Sequence, residues 1–171
     1  LLLSKERFDV STLKDLTAMA TAVMMAAGDG GDAGADDKKK KKLKISDGDL
    51  LLVAVSEKSG LSATPPERFA FCSFHGDTDG LASIPVLRAV VAAVKQEEAE
   101  TGVALTLVCG MDANVYANGA ASYKAGKQQG CAEFGAAAVA LGLTTATGDE
   151  PDQALATSAC ARTFLQPQLH K

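Results

Sequence analysis

No apolar run in this 171-residue chain approaches the ~18 residues that a membrane-spanning helix needs. A secretory signal is not expected either: Leu1-Leu2-Leu3 is too short for an apolar core, and Lys5-Glu6-Arg7 follows at once. A global positive field is missing, because 17 basic side chains face 21 acidic ones for a net charge of −4. Most non-specific nucleic-acid binders carry such a field. No two of the four cysteines, Cys72, Cys109, Cys131 and Cys160, lie close enough for a zinc-knuckle or C-x-x-C spacing. They read as buried free thiols, with a disulfide of undetermined partners left open. Free thiols point to a reducing intracellular compartment, with cytoplasm and organelle both open. No internal repeat is present.

What remains is 47% apolar and modestly charged, which excludes disorder throughout. A chain of this length folds as one ordinary domain that buries about 70% of its unfolded surface. Leu1 to Phe8 reads as a short strand. Ser11 is placed to cap a helix from about Thr12 to Ala26, with Leu13, Leu16, Ala20, Val23 and Met24 at helical spacing. Residues 28–42 form a Gly- and Asp-rich run ending in five lysines. Lacking any apolar residue larger than Ala, it is expected as a flexible surface insertion.

Leu50 to Val55 and Arg68 to Phe74 read as strands, with a loop over Ser56 to Pro66 between them. A helix is expected from about Pro85 to Glu100. Proline suits its first turn, and Ile84, Leu87, Val90, Val91 and Val94 share a face. Lys95, Gln96, Glu97 and Glu98 mark its solvated end. Val103 to Cys109 reads as a further strand, Tyr116 to Gly130 as a loop, and Ala132 to Leu141 as a helix stopped by Gly142. Alternating strands and helices predict a layered α/β domain, with helices covering the sheet faces.

Two strand exits carry the polar chemistry: Phe69-Ala-Phe-Cys-Ser-Phe-His75-Gly-Asp77-Thr-Asp-Gly80 and Leu105-Thr-Leu-Val-Cys-Gly-Met-Asp112-Ala-Asn114. A strand, a helix and a strand predict a parallel crossover, with both carboxyl ends at one sheet edge. Ligands of open α/β sheets bind at that edge. His75, Asp77, Asp112 and Asn114 are therefore expected to converge. Asp112 suits water activation. Asn114, two residues on, would point to the same side of an extended strand. His75 suits hydrogen bonding to a phosphate as charge develops. Tyr116, just past the turn, suits either a cleft lining or packing.

The string Ser73-Phe-His75-Gly-Asp77-Thr-Asp-Gly-Leu-Ala82, with Gly110-Met-Asp112-Ala-Asn114, resembles the endonuclease/exonuclease/phosphatase superfamily. Ala161 to Leu169 resembles a subset of eukaryotic proteins carrying that domain. The likeness runs from about Leu50 onward, with a weaker one at Leu1 to Phe8. It implies a DNase I-like four-layered α/β sandwich, two packed β-sheets flanked by helices. It further implies hydrolysis of phosphodiesters or phosphomonoesters with magnesium or manganese. Substrates in the superfamily include nucleic acid, inositol phosphates and sphingomyelin. By that resemblance Asp112 would activate water, Asn114 would support it, and His75 would contact the scissile phosphate. Asp77, Tyr116 and Arg162 are candidate substrate contacts, although Arg162 also suits a surface ion pair.

The superfamily's early Asn, its metal-binding Glu and its closing Ser-Asp-His segment have no counterpart here. His75 and His170 are the two histidines, and His170-Lys171 does not match the closing segment. The subset's usual Asn is Asp79 here. The copy is therefore expected to be incomplete or degenerate. In the degenerate case the chain would be a catalytically inactive relative, serving as a structural or interaction subunit with protein partners.

A haloacid-dehalogenase loop at Asp77-Thr-Asp79 is disfavoured, because His75-Gly76 separates the strand from the Asp. The Asp-rich run from Asp29 lacks the EF-hand register. The five lysines suit either a phosphate backbone or solvation. Phe69, Phe71 and Phe74 are expected in the core rather than as a base-stacking platform.

Overall fold

A computed structural model describes residues 3–28, 45–60, 66–116, 124 and 126–144. The 28–42 insertion beyond Gly28, Cys160, the 161–169 stretch and Arg162 lie outside these. The elements run β1 (Phe8–Asp15), α1 (Thr17–Gly28), β2 (Leu50–Glu57), β3 (Arg68–His75), α2 (Ser83–Thr101), β4 (Thr106–Asp112) and α3 (Cys131–Ala140). The strands form one sheet in the order β1-β2-β3-β4. β1 and β2 are antiparallel, as are β2 and β3, whereas β3 and β4 are parallel. The parallel step is the one spanned by α2, as the sequence led us to expect. Among the described residues there is a single sheet, so the architecture seen is mixed α/β.

Alternation along the strands splits the sheet into two faces. Leu50, Leu52 and Ala54 of β2, with Ala70, Cys72 and Phe74 of β3, turn to one face. Leu16, Ala20 and Met24 of α1 and Val86, Ala89, Val90 and Val94 of α2 pack on it. Full burial of each valine or leucine there contributes about 1.5–3 kcal/mol. α1 and α2 lie on the same face and α3 contacts α2, so among the described residues the expectation that helices cover both sheet faces is not met. On the other face Phe8, Val55 and Phe69 form a smaller cluster, with Leu3 and Phe71 against it. Phe8 meets Phe69 and Phe71 edge-on at centroid distances of 5.8 and 5.4 Å. The Arg7 guanidinium lies over Phe8 and Phe69.

Three differences from the sequence reading have local causes. Residues 5–7 form a turn, and Phe8–Asp15 is strand rather than the start of a helix. Ser11 does not cap: its hydroxyl donates to Asp9 Oδ1 within the strand. The hydrogen bond at the start of α1 comes instead from Asp15, just before it, whose Oδ1 accepts from the Thr17 N–H at 2.8 Å. Pairing with β2 at Phe8, Asp9, Lys14 and Asp15 holds the strand extended, with a register shift between Asp9 and Lys14.

β4 runs three residues past Cys109, because β3 continues to His75 and supplies register partners as far as Asp112. Glu97, expected in solvent, is fully buried. Its carboxylate accepts from Lys14 Nζ at 2.6 Å and Arg68 Nη2 at 3.3 Å. This ion pairing joins α2 to β1 and β3. Gly102, at φ 68, ends α2 by donating its N–H to Glu98 O at 2.8 Å. Among the described residues, no helix is long and apolar enough to cross a membrane.

Candidate functional site at the carboxyl ends of β3 and β4

His75 and Asp112 end the two parallel strands as register partners, so their side chains leave the same sheet face. His75 Nε2 stands 4.0 Å from Asp112 Oδ2, and both side chains are exposed. At that separation they do not hydrogen-bond directly, and one oxygen atom can bridge them. On its other side, His75 Nδ1 lies 3.9 Å from Asp49 Oδ1. The imidazole thus stands between two carboxylates.

Asp49 was not singled out in the sequence. The antiparallel β2–β3 pair puts the start of β2 beside the end of β3, with Leu50 opposite Phe74. Asp49 O accordingly accepts the His75 N–H at 2.8 Å, and Asp49 Oδ2 accepts the Ser46 N–H at 3.0 Å. The signal was available in Ser46-Asp-Gly-Asp49, had β2 and β3 been read as neighbours.

The loops after the two strands are locked together by backbone contacts. The Gly76 N–H donates to Asp112 O at 2.7 Å, and the buried Ser83 hydroxyl donates to Ala113 O at 2.6 Å. Asn114 leaves the extended conformation, with φ 47. The strand alternation that would have aligned it with Asp112 therefore does not reach it. Its Nδ2 donates to Gly76 O at 2.9 Å, clamping one loop to the other. Asp77 Oδ1 accepts the Ala82 N–H at 3.1 Å at the entry to α2. Tyr116 Oη donates to Thr78 O at 2.8 Å.

Of the predicted residues, the structure brings His75 and Asp112 into a facing pair. Asp77, Asn114 and Tyr116 lie in the surrounding loops, with polar atoms engaged by backbone groups. Arg162 lies outside the described residues. A cleft of about 280 Å³ opens beside the pair, lined by Ile45, Ser46, Asp49, Phe74, His75, Gly76, Asp77, Thr78 and Ala82. Asp112 and Asn114 do not line it, so the hollow is shared by His75 and Asp49 rather than by residues 75, 112 and 114 together.

The resemblance implies magnesium or manganese. Among the described residues, no three His, Cys, Asp or Glu side chains come together to hold a metal ion. Asp49 and Asp112 are held apart by the imidazole between them. The described residues therefore do not fit a divalent cation. They bring together one imidazole and two carboxylates, groups that can donate and accept protons. No family model, curated protein or solved structure matches the chain.

Proposed function

We propose that the chain carries part of a phosphoesterase site of the endonuclease/exonuclease/phosphatase type. The observation that carries this reading is the His75–Asp112 pair, held in register at the ends of adjacent parallel strands. In the proposed reaction Asp112 accepts a proton from a water molecule. The water oxygen bonds to phosphorus as the ester P–O bond breaks, and the departing alkoxide takes a proton from solvent to leave as the alcohol. His75, as its neutral Nε2–H tautomer or as imidazolium, donates to a non-bridging phosphoryl oxygen. Asp49 Oδ1 stands 3.9 Å from Nδ1, on the side of the ring away from Asp112. The substrate class is a phosphate ester, whether nucleic acid, inositol phosphate or phospholipid. On this reading a second sheet completes the four-layered sandwich over the face opposite α1 and α2, where Leu51 and Val108 are 36% and 45% exposed.

The test is hydrolysis of a panel of nucleic acids, inositol phosphates, sphingomyelin and a simple aryl phosphate diester and monoester. Each is assayed with and without saturating Mg²⁺ or Mn²⁺. Hydrolysis is expected, and Asp112→Ala and His75→Ala should each lower kcat/KM by about 10²–10⁴-fold. No turnover of any ester in any condition rejects the reading.

The second reading is an inactive relative acting as an interaction subunit. It is favoured by Asn114, Asp77 and Tyr116 being engaged by backbone groups and by the apolar side chains on the open face. It requires stable association with a protein partner, and a lone monomer with no partner in native pull-downs rejects it.

A further inference from the structure

We propose that Cys72 and Cys109 form a reversible disulfide between β3 and β4, making this strand pair a redox modification site. The inference does not depend on the hydrolytic reading. The two residues are direct register partners in the parallel pair, and both side chains turn to the helix-covered core. The pairing sets the two side chains next to each other on that face. Partners on neighbouring strands lie about 4.8 Å apart, inside the ~4.4–6.8 Å between Cα atoms that a disulfide spans. The fold thus brings together two thiols that are 37 positions apart in sequence.

The two thiols are unequal. Cys72 is 3% exposed, whereas Cys109 is half-buried. Their proximity pulls the Cys109 thiol below its ordinary pKa and, with burial, pushes Cys72 up. Cys109, the more exposed of the two, is therefore the thiol that meets an oxidant, and Cys72 is the resolving thiol.

With hydrogen peroxide as oxidant, the Cys109 thiolate attacks one peroxide oxygen. An S–O bond forms, the O–O bond breaks, and the released hydroxide takes a proton to leave as water. Cys72 Sγ then attacks Cys109 Sγ. The S–S bond forms, the S–O bond breaks, and the departing oxygen takes the Cys72 proton to leave as a second water. Two thiols lose two electrons and two protons, and one peroxide becomes two waters. A dithiol reverses the step by thiol–disulfide exchange. Cys131, half-buried at the start of α3 and with its thiol pushed up by burial, lies outside the pair.

The experiment uses the full chain carrying Cys131→Ser and Cys160→Ser, treated with equimolar hydrogen peroxide and digested without reduction. The expected result is one peptide linking Cys72 to Cys109 within a single chain, lighter by two hydrogens and released by dithiothreitol. The yield should fall when the treatment is made in urea, because the fold makes the pair. With Cys72→Ser, dimedone should trap a sulfenic acid on Cys109. The proposal is overturned if both thiols stay free to alkylation, if Cys109 over-oxidises while Cys72 stays free, if links form only between chains, or if the yield is unchanged in urea. The linkage readout needs neither cysteine replaced, so a Cys72→Ser chain that fails to fold leaves the test intact.

Discussion

Gly80 occupies a position where no other side chain fits. Its φ is 69, and a Cβ there would fall against Asn114 O and within 2.9 Å of Ala113 O. Gly102 has nearly the same φ, 68, but open space around it. The left-handed backbone costs an L-residue roughly 1–2 kcal/mol, and a clash with packed backbone about 1–3 kcal/mol more. Gly80→Ala should therefore lose about 2–4 kcal/mol in urea denaturation, against about 1–2 kcal/mol for Gly102→Ala. Equal losses would mean that the loop closing over Gly80 gives way freely.

Asp15 makes a second prediction at this scale. The hydrogen bonds from Thr17 hold its carboxyl below the ordinary carboxylate value. A depressed folded pKa means that its contribution is complete above the unfolded value and is lost as pH falls through the folded one. Asp15→Ala should cost about 1 kcal/mol at neutral pH. The gap between variant and wild type should close as unfolding is followed down through the acid range. A gap that does not change with pH would show that the carboxylate charge is not what stabilises the start of α1.

The elements are joined by one buried carboxylate. Glu97 on α2, with no exposed side-chain surface, accepts from Lys14 on β1 and Arg68 on β3. Removing both partners leaves a charge in the core, whereas removing all three charges leaves an apolar contact. Lys14→Met/Arg68→Met should fall by about 3–5 kcal/mol in chemical denaturation, and adding Glu97→Leu should recover most of that loss. If the triple variant is no more stable than the double, the strain lies in packing rather than in the unpaired charge. The same triad shows why α2 was only partly legible. Its apolar stripe was visible in Leu87, Val90, Val91 and Val94, but Glu97 looks like any solvated helix end until β1 and β3 supply its cations.

At the scale of the whole molecule, the sheet is covered unequally. Leu52 is fully buried beneath the helices, while Val108, on the opposite face of the same sheet, is 45% exposed. Val108→Lys should change the unfolding free energy by no more than about 0.5 kcal/mol in the isolated chain. If a partner subunit covers this face, the same substitution should abolish the association seen by sedimentation. A large loss of stability in the isolated chain would show the face to be covered from within. Strand and helix identities from β2 onward, the parallel β3–β4 step and the placing of His75 and Asp112 at strand ends were legible in the sequence, whereas β1 was not. Apolar periodicity and strand–helix–strand order are local properties, and a right-handed crossover leaves few alternatives. Only the tertiary structure decided that Asp49 joins the imidazole, that Asn114 turns back to Gly76, that Glu97 is buried and that Cys72 meets Cys109. Each of these depends on which strands become neighbours and in what register, and a one-residue slip of β4 along β3 would turn Cys109 away from Cys72 and Asp112 away from His75.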